Sequence, residues 1–379
     1  MEELGSIKDI AGIDKAIEIQ KRKLEALRGE VKGLKFKKID IAGNYASVSY
    51  KAIDGGNMRI NLNPFEINVI NVADSNGKKK LSFVVPEIKG YGDNPDDREE
   101  AKSSIIKEID KHIIIQRFVK MLNRSSIADI SYLLVDSNNF MEIAEWACIF
   151  DRINMDSDEP IIIIKDGLLR TKVLKASSNE NYIRELRKIL KTKKKDARLI
   201  GVSKTSAIIS LLSTAIFLEK KIPSDSIGYI KIPLNLELRA YKWDGTGEIN
   251  KEDLKPLNYA FGELYIAKLA RDSNILVTIE VPKDLETGDD IYSESEIDEM
   301  ISYLAKDSKF SYPVLGYPQT IMRAHEVAVQ LGFPASVIRD EIKDKIIESL
   351  PKEVGEFIRD GWLITDFVNK GVLGGGKYE

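Results

Sequence analysis

Residues 160–167 read PIIIIKDG, from Pro160 to Gly167. A continuous apolar run of this length predicts a strand buried on both faces, central in a sheet that carries helices on either side. An Asp at the end of such a strand is held by rigid backbone, and the glycine after it removes side-chain bulk so that a ligand can approach. A second strand meets Asp-Gly in the same way at Ala52-Ile53-Asp54-Gly55-Gly56.

Upstream of the apolar run, helical spacing predicts an amphipathic helix over Ile13–Leu34, a long helix over Arg98–Leu122 after the polar stretch Gly92–Asp97, and a helix over about Asn139–Arg152. Between the first two lie β-rich runs at Tyr45–Ile53, Met58–Ala73 and Lys80–Pro86. Asp54-Gly55-Gly56 and Asp74-Ser75-Asn76-Gly77 read as turns between them, which implies an antiparallel meander. Downstream, strands are expected at Arg198–Val202, Ile227–Ile232, Tyr259–Ala270 and Ile275–Val281, with a helix over Ser206–Lys220 and a mostly helical final third. Meander, helix and buried strand together indicate an α/β fold with helices flanking a mixed sheet. Asp244–Pro256 reads as a surface insertion and Gly374–Lys377 as a flexible tail. No long linker interrupts the chain, so a single elaborated domain is expected: the N-terminal helix at about 13–34, a core at about 40–335, and C-terminal helices and tail at about 336–379.

Composition narrows the function. A chain of 379 residues with 43% hydrophobic content can bury a substantial core. No segment reaches the roughly 20 apolar residues of a membrane span, and the opening MEELGSIKDI does not resemble a signal peptide, so a cytoplasmic, membrane-free protein is expected. The single cysteine, Cys148, and the two histidines, His112 and His325, exclude a disulfide framework and a zinc centre rich in cysteine or histidine within one chain. With 57 basic and 60 acidic side chains, bulk charge does not mark a nucleic-acid binder, and local segregation matters more.

Asp54 and Asp166, brought side by side, would make an oxygen-rich site for a hard divalent cation such as Mg²⁺ or Mn²⁺, although Asp-Gly is also a common turn. A third ligand is available at Glu145 or Glu142, three residues apart on one helical face, where they also complement the helix dipole. Such an ion activates water and neutralises charge on a phosphodiester. Lys204, in Gly201-Val202-Ser203-Lys204-Thr205-Ser206, sits between strand and helix, where it can bind phosphate or belong to a capped helix start. The segment lacks P-loop spacing, which excludes nucleotide hydrolysis there. Lys191, Lys193, Lys194 and Lys195 either line a nucleic-acid path or form a solvated loop. His325 lies about two helical turns beyond Tyr317, in a helix expected to start at Pro318, and either packs or takes part in chemistry.

Four marks in this order, AIDGG at Asp54, KDGLL at Asp166, GVSKTS at Lys204 and GYPQTIMRAH from Gly316 to His325, make the chain resemble the NurA nuclease family over most of its length. The resemblance implies a ribonuclease H-like core. It also implies cleavage of single- and double-stranded DNA with Mn²⁺, or less well Mg²⁺, as a single-strand endonuclease and 5′-to-3′ exonuclease. It assigns Asp54 and Asp166 as metal-binding carboxylates, a helix glutamate, Glu145 or the alternative Glu142, as their companion, and Tyr317 and His325 as further active-site members. It further implies a homodimer docked on HerA, a hexameric DNA-translocating ATPase, during end resection in recombinational repair. The N-terminal helix would serve that docking or dimerisation, or simply pack on its own sheet. Two other readings remain: a DNA-binding scaffold subunit that does not cut, and a ribonuclease H-like enzyme acting on RNA or hybrid strands.

Overall fold

The computed structural model describes residues 13–41, 48–62, 65–86, 95–131, 137–155, 159–171, 173–174, 182–240, 260–284, 287–329 and 332–369. In chain order the elements begin with α1 (Ile13–Lys32), β1 (Phe36–Lys38), β2 (Ser49–Leu62), β3 (Phe65–Asp74), β4 (Lys79–Pro86), α2 (Pro95–Asp110), α3 (Ile113–Met121) and α4 (Ser137–Asn154). They continue with β5 (Ile161–Asp166), α5 (Tyr182–Lys193), β6 (Ala197–Ser203), α6 (Ala207–Leu218), β7 (Gly228–Lys231), α7 (Leu234–Ala240), β8 (Gly262–Lys268) and β9 (Val277–Pro282). Four helices close the chain: α8 (Glu294–Ser308), α9 (Gln319–Val329), α10 (Gly332–Ser349) and α11 (Lys352–Asn369). Two compact units divide these residues, one made of Met1–Ala52, Asp156–Lys172 and Ile183–Met322, the other of Ile53–Met155, Val173–Tyr182 and Arg323–Glu379.

In the first unit the strands run in the order β1-β7-β8-β9-β6-β5, followed by the opening residues of β2, where the Ser49 amide donates to the Pro160 carbonyl at 3.2 Å. β5 and β6 are parallel, from Ile161 opposite Ala197 to Asp166 opposite Val202, whereas β9, β8, β7 and β1 join antiparallel. Residues 161–165 are all buried, as a strand covered on both faces requires. One core gathers Leu27, Val31 and Leu34 with Leu212 and Ile216 of α6 and Ile230 and Ile266 of the sheet. The inner face of α1 is therefore spent on its own unit, and Ile17 and Ile19 near its start stay exposed. β1 was not anticipated from sequence.

The second unit is built on the antiparallel meander β2-β3-β4, from Ile53 opposite Asp74 to Leu62 opposite Phe65. The predicted turn at residues 74–77 is present: Asp74 Oδ1 accepts the amides of Asn76 and Lys78, and Gly77 takes φ +80°. The α4 helix packs on β3 and β4 and on α3, and its Cys148 is buried. Trp362 of α11 joins Ile60, Leu62, Ile67 and Val69 of the meander, with Ile342, Ile346 and Ile347 of α10 against them.

Two sequence expectations are corrected. Asp54-Gly55-Gly56 is not a turn but lies inside β2, paired with Ala73, Val72 and Asn71, and the run expected over Met58–Ala73 is accordingly divided between β2 and β3. The long helix expected over Arg98–Leu122 is two helices, because His112 adopts an extended backbone and its ring nitrogen accepts the Ile114 amide, starting α3 afresh. The insertion at Asp244–Pro256, the tail Gly374–Lys377 and residues 92–94 of the polar stretch lie outside the described residues.

Candidate functional site

In the second unit, the residue pattern around Asp54 follows from strand alternation, which points consecutive side chains to opposite faces. A Cβ at Gly55 would stand 2.5 Å from Glu145 Oε1 and 2.6 Å from Met141 Cγ. A Cβ at Gly56 would stand 2.5 Å from the Ala328 carbonyl oxygen. The two glycines thus admit two different neighbours, the carboxylate end of an α4 side chain and the backbone near the end of α9. Asp54 precedes them and is buried. Its Oδ1 accepts the Gly55 amide at 2.8 Å, and its Oδ2 lies 2.8 Å from Nδ1 of His325, whose ring is half-exposed. Glu145 is also buried, while Glu142, one turn earlier, is only partly covered.

The first unit holds Asp166 at the last position of β5. Gly167 follows at φ +93°, a left-handed conformation natural to glycine, and its amide donates to the Val202 carbonyl at 2.8 Å. The Tyr317 hydroxyl donates to Asp166 Oδ1 at 2.7 Å, and the tyrosine ring is buried. Lys204 sets its ammonium 5.6 Å from the centre of that ring. Asp166, Tyr317 and Lys204, marked at widely separated places in the sequence, therefore form one connected group.

The sequence matches the NurA domain over residues 50–330. The chain belongs to the NurA family. No curated protein sequence matches it. Among solved structures it is similar to the NurA nuclease from Sulfolobus solfataricus, at 13% identity and a TM-score of 0.47, covering 90% of this chain and 97% of that one. A second NurA structure gives 9% identity, a TM-score of 0.44 and coverage of 92% and 99%. NurA with manganese gives 10% identity, a TM-score of 0.38 and coverage of 90% and 98%.

Of the lysines at 191–195, Lys191 and Lys194 have local partners. Lys191 is drawn to Asp284 Oδ2 at 3.2 Å and Asp289 Oδ2 at 3.5 Å, and the hydrogen bond to Asp284 raises its pKa. Lys194 donates to the Ile291 carbonyl at 3.4 Å, Lys193 is half-buried, and Lys195 is exposed. The Lys204 segment is also a capped helix start, since Ser206 Oγ accepts the Ile209 amide.

Two features escaped the sequence reading. Lys165 is buried and donates to the Asp166 carbonyl at 3.1 Å. A lysine closing four isoleucines was the available signal. Arg170, four residues past Asp166, bonds Glu280 Oε2 through both its amide, at 3.0 Å, and its side chain, at 3.3 Å, and reaches Glu237 at 2.8 Å. Glu280, fully buried, also accepts the Phe261 and Gly262 amides. This network ties the chain after Asp166 to β9, and only the pairing across about a hundred residues reveals it.

Proposed function

We propose that this NurA-family nuclease hydrolyses DNA phosphodiesters with a divalent cation held by Asp54, Glu145 and Asp166. The observation that carries the reading is the setting of Asp54. A buried strand carboxylate, fixed at both oxygens by Gly55 and His325, has a second buried carboxylate, Glu145, against the adjacent glycine. A buried carboxylate is costly in its charged form unless hydrogen bonds or a cation compensate it. Carboxylate oxygens with a ring nitrogen nearby suit Mn²⁺, with Mg²⁺ as the harder alternative.

When bound, the ion would lower the pKa of water and neutralise charge on the scissile phosphate. The protein groups then have separate tasks. Asp54 and Glu145 supply negative charge from rigid elements. Nδ1 of His325 is directed to Asp54, which leaves Nε2 as the ring nitrogen able to exchange a proton with the reacting strand. Tyr317 holds Asp166 in one rotamer, and Lys204 offers positive charge to a phosphate beside it.

In the finer reading the chain acts as one nuclease domain, a single-strand endonuclease and 5′-to-3′ exonuclease on single- and double-stranded DNA. It works in the cytoplasm as a homodimer docked on a HerA-type hexameric ATPase during DNA end resection. No described helix is long and apolar enough to cross a membrane. The deciding experiment is cleavage of end-labelled single- and double-stranded DNA with Mn²⁺, Mg²⁺ or chelator, by wild type, Asp54→Asn and Asp166→Asn. Metal-dependent cutting that both substitutions abolish supports the reading. Absence of cutting under every metal, with the ATPase also supplied, overturns it in favour of a scaffold.

A further inference from the structure

Between α8 and Tyr317 the first unit carries the loop Lys309-Phe310-Ser311-Tyr312-Pro313-Val314-Leu315-Gly316. Phe310 is 83% exposed and Tyr312 80% exposed, so both rings stand in solvent almost whole. Two aromatic rings so close in sequence and so exposed mark a binding surface more often than scattered surface hydrophobes do.

The loop that presents them is internally bonded. The buried Ser311 hydroxyl lies 3.0 Å from the Ser308 carbonyl and 2.8 Å from the Val314 carbonyl, and it accepts the Gly316 amide at 3.1 Å. The Tyr312 amide donates to Gln319 Oε1 at 2.8 Å, and Ser273 Oγ donates to the Leu315 carbonyl at 2.8 Å. Gly316, at φ +92°, turns the chain where a Cβ would come within 2.8 Å of Ser273 Oγ, and the next residue is Tyr317. The exposed rings are thus carried on a braced segment that ends on the partner of Asp166. Tyr312 and Tyr317 are five positions apart, so the extended chain limits their Cα separation to roughly 18 Å. At the 3.4 Å rise of a B-form strand this is about five nucleotides.

We propose that Phe310 and Tyr312 form a stacking platform for unpaired bases of the DNA strand that flanks the cleavage site. The inference rests on the nuclease reading and adds to it how a strand without fixed sequence is held. Every base has a π-face, so aromatic stacking grips single strands regardless of sequence. Lys309 supports this occupant over an apolar protein segment, because its ammonium lies 5.0 Å from the Phe310 ring centre and brings positive charge to where a sugar-phosphate chain would run.

The test is binding of a single-stranded oligodeoxynucleotide containing 2-aminopurine, in chelator so that nothing is cut. Wild type is compared with Phe310→Ala, Tyr312→Ala, the double variant and the aromatic replacements Phe310→Trp and Tyr312→Phe. Wild type and the aromatic replacements should quench the 2-aminopurine. Each alanine should weaken binding by about ten-fold, from the stacking cost of one base, and the double variant should lose the quench while its thermal unfolding is unchanged. Equal binding and equal quenching by the double variant would overturn the platform, even if wild type cuts DNA with Mn²⁺. A wild-type protein that neither binds nor cuts DNA would overturn the platform together with the nuclease reading. A change of oligomeric state in the double variant, with DNA binding intact, would assign the rings to a protein interface instead.

Discussion

The Tyr317 hydroxyl and Asp166 Oδ1 are 2.7 Å apart, and this bond fixes a carboxylate at the end of β5. A hydrogen bond to a charged group contributes about 1.5–3 kcal/mol. Tyr317→Phe keeps the buried ring and removes only the donor. It should lower Mn²⁺-dependent cleavage by about ten-fold or more, with the far-UV spectrum unchanged. A titration of cleavage rate against Mn²⁺ checks this, since a carboxylate freed to rotate should also demand more metal. Unaltered rate and metal demand would remove Tyr317 from the site.

The two glutamates of α4 should separate cleanly. Glu145 is buried with its carboxylate against Gly55, whereas Glu142 is partly exposed. Glu145→Gln should abolish cleavage, and metal-free protein should melt at the same temperature or higher, because an amide removes an acid whose charged form burial disfavours. Glu142→Gln should change the rate by less than about three-fold, as surface substitutions usually do. Cleavage rates and melting curves of the two variants are the measurement, and the reverse order would move the ligand one turn along the helix.

A methyl group at either glycine of β2 has a definite obstacle. Gly55→Ala would press on the Glu145 carboxylate and Met141, both side chains that can yield, while Gly56→Ala would press on the Ala328 carbonyl, which is backbone. Overpacking costs about 1–3 kcal/mol. Gly56→Ala should therefore lower the urea midpoint more than Gly55→Ala. Gly55→Ala should lose cleavage out of proportion to its loss of stability. Chemical denaturation read together with activity separates the two effects.

Acid should weaken the start of α3. Burial lowers the pKa of His112, and its Nδ1 accepts the Ile114 amide, a role open only to the neutral ring. The folded pKa lies below that of the unfolded imidazole, about 6.5. The cap's contribution is therefore complete above that value and lost as the pH falls through the folded pKa. Asparagine is a good cap that does not titrate. Melting temperatures near pH 7.5 and near pH 5.5, in the range about the imidazole pKa, should differ less for His112→Asn than for wild type. Equal differences would show that His112 does not titrate in this range.

What the sequence disclosed follows from the range of the forces involved. The four isoleucines of β5 announce burial by composition alone, and the turn at residues 74–77 carries its own hydrogen-bond acceptor in Asp74, so both were legible locally. The Asp54-Gly55-Gly56 stretch was misread because its glycines answer to Glu145 and Ala328, distant in the chain, and a local reading knows glycine only as a turn former. The break at His112 was hidden because histidine is an uncommon helix cap. β1 is three residues long and exists as a strand only through its pairing with β7. Of the proposed site, Asp54 and Asp166 are legible as Asp-Gly pairs ending strands and the two glutamates from the helix ahead of β5, whereas Tyr317 and His325 gain a role only through the family resemblance. The bonds from Tyr317 to Asp166 and from His325 to Asp54 span 151 and 271 residues, a distance no local pattern reports.

Cys148 is the one cysteine of the chain, and it is buried in α4, where desolvation pushes its thiol well above the ordinary range. Such a thiol yields little thiolate and reacts slowly with alkylating probes. The native sequence is thus already suited to site-specific labelling: a cysteine introduced at position 310 or 312 would take a spin label or fluorophore almost alone, and the approach of a DNA strand to that loop could be followed in an otherwise unaltered protein.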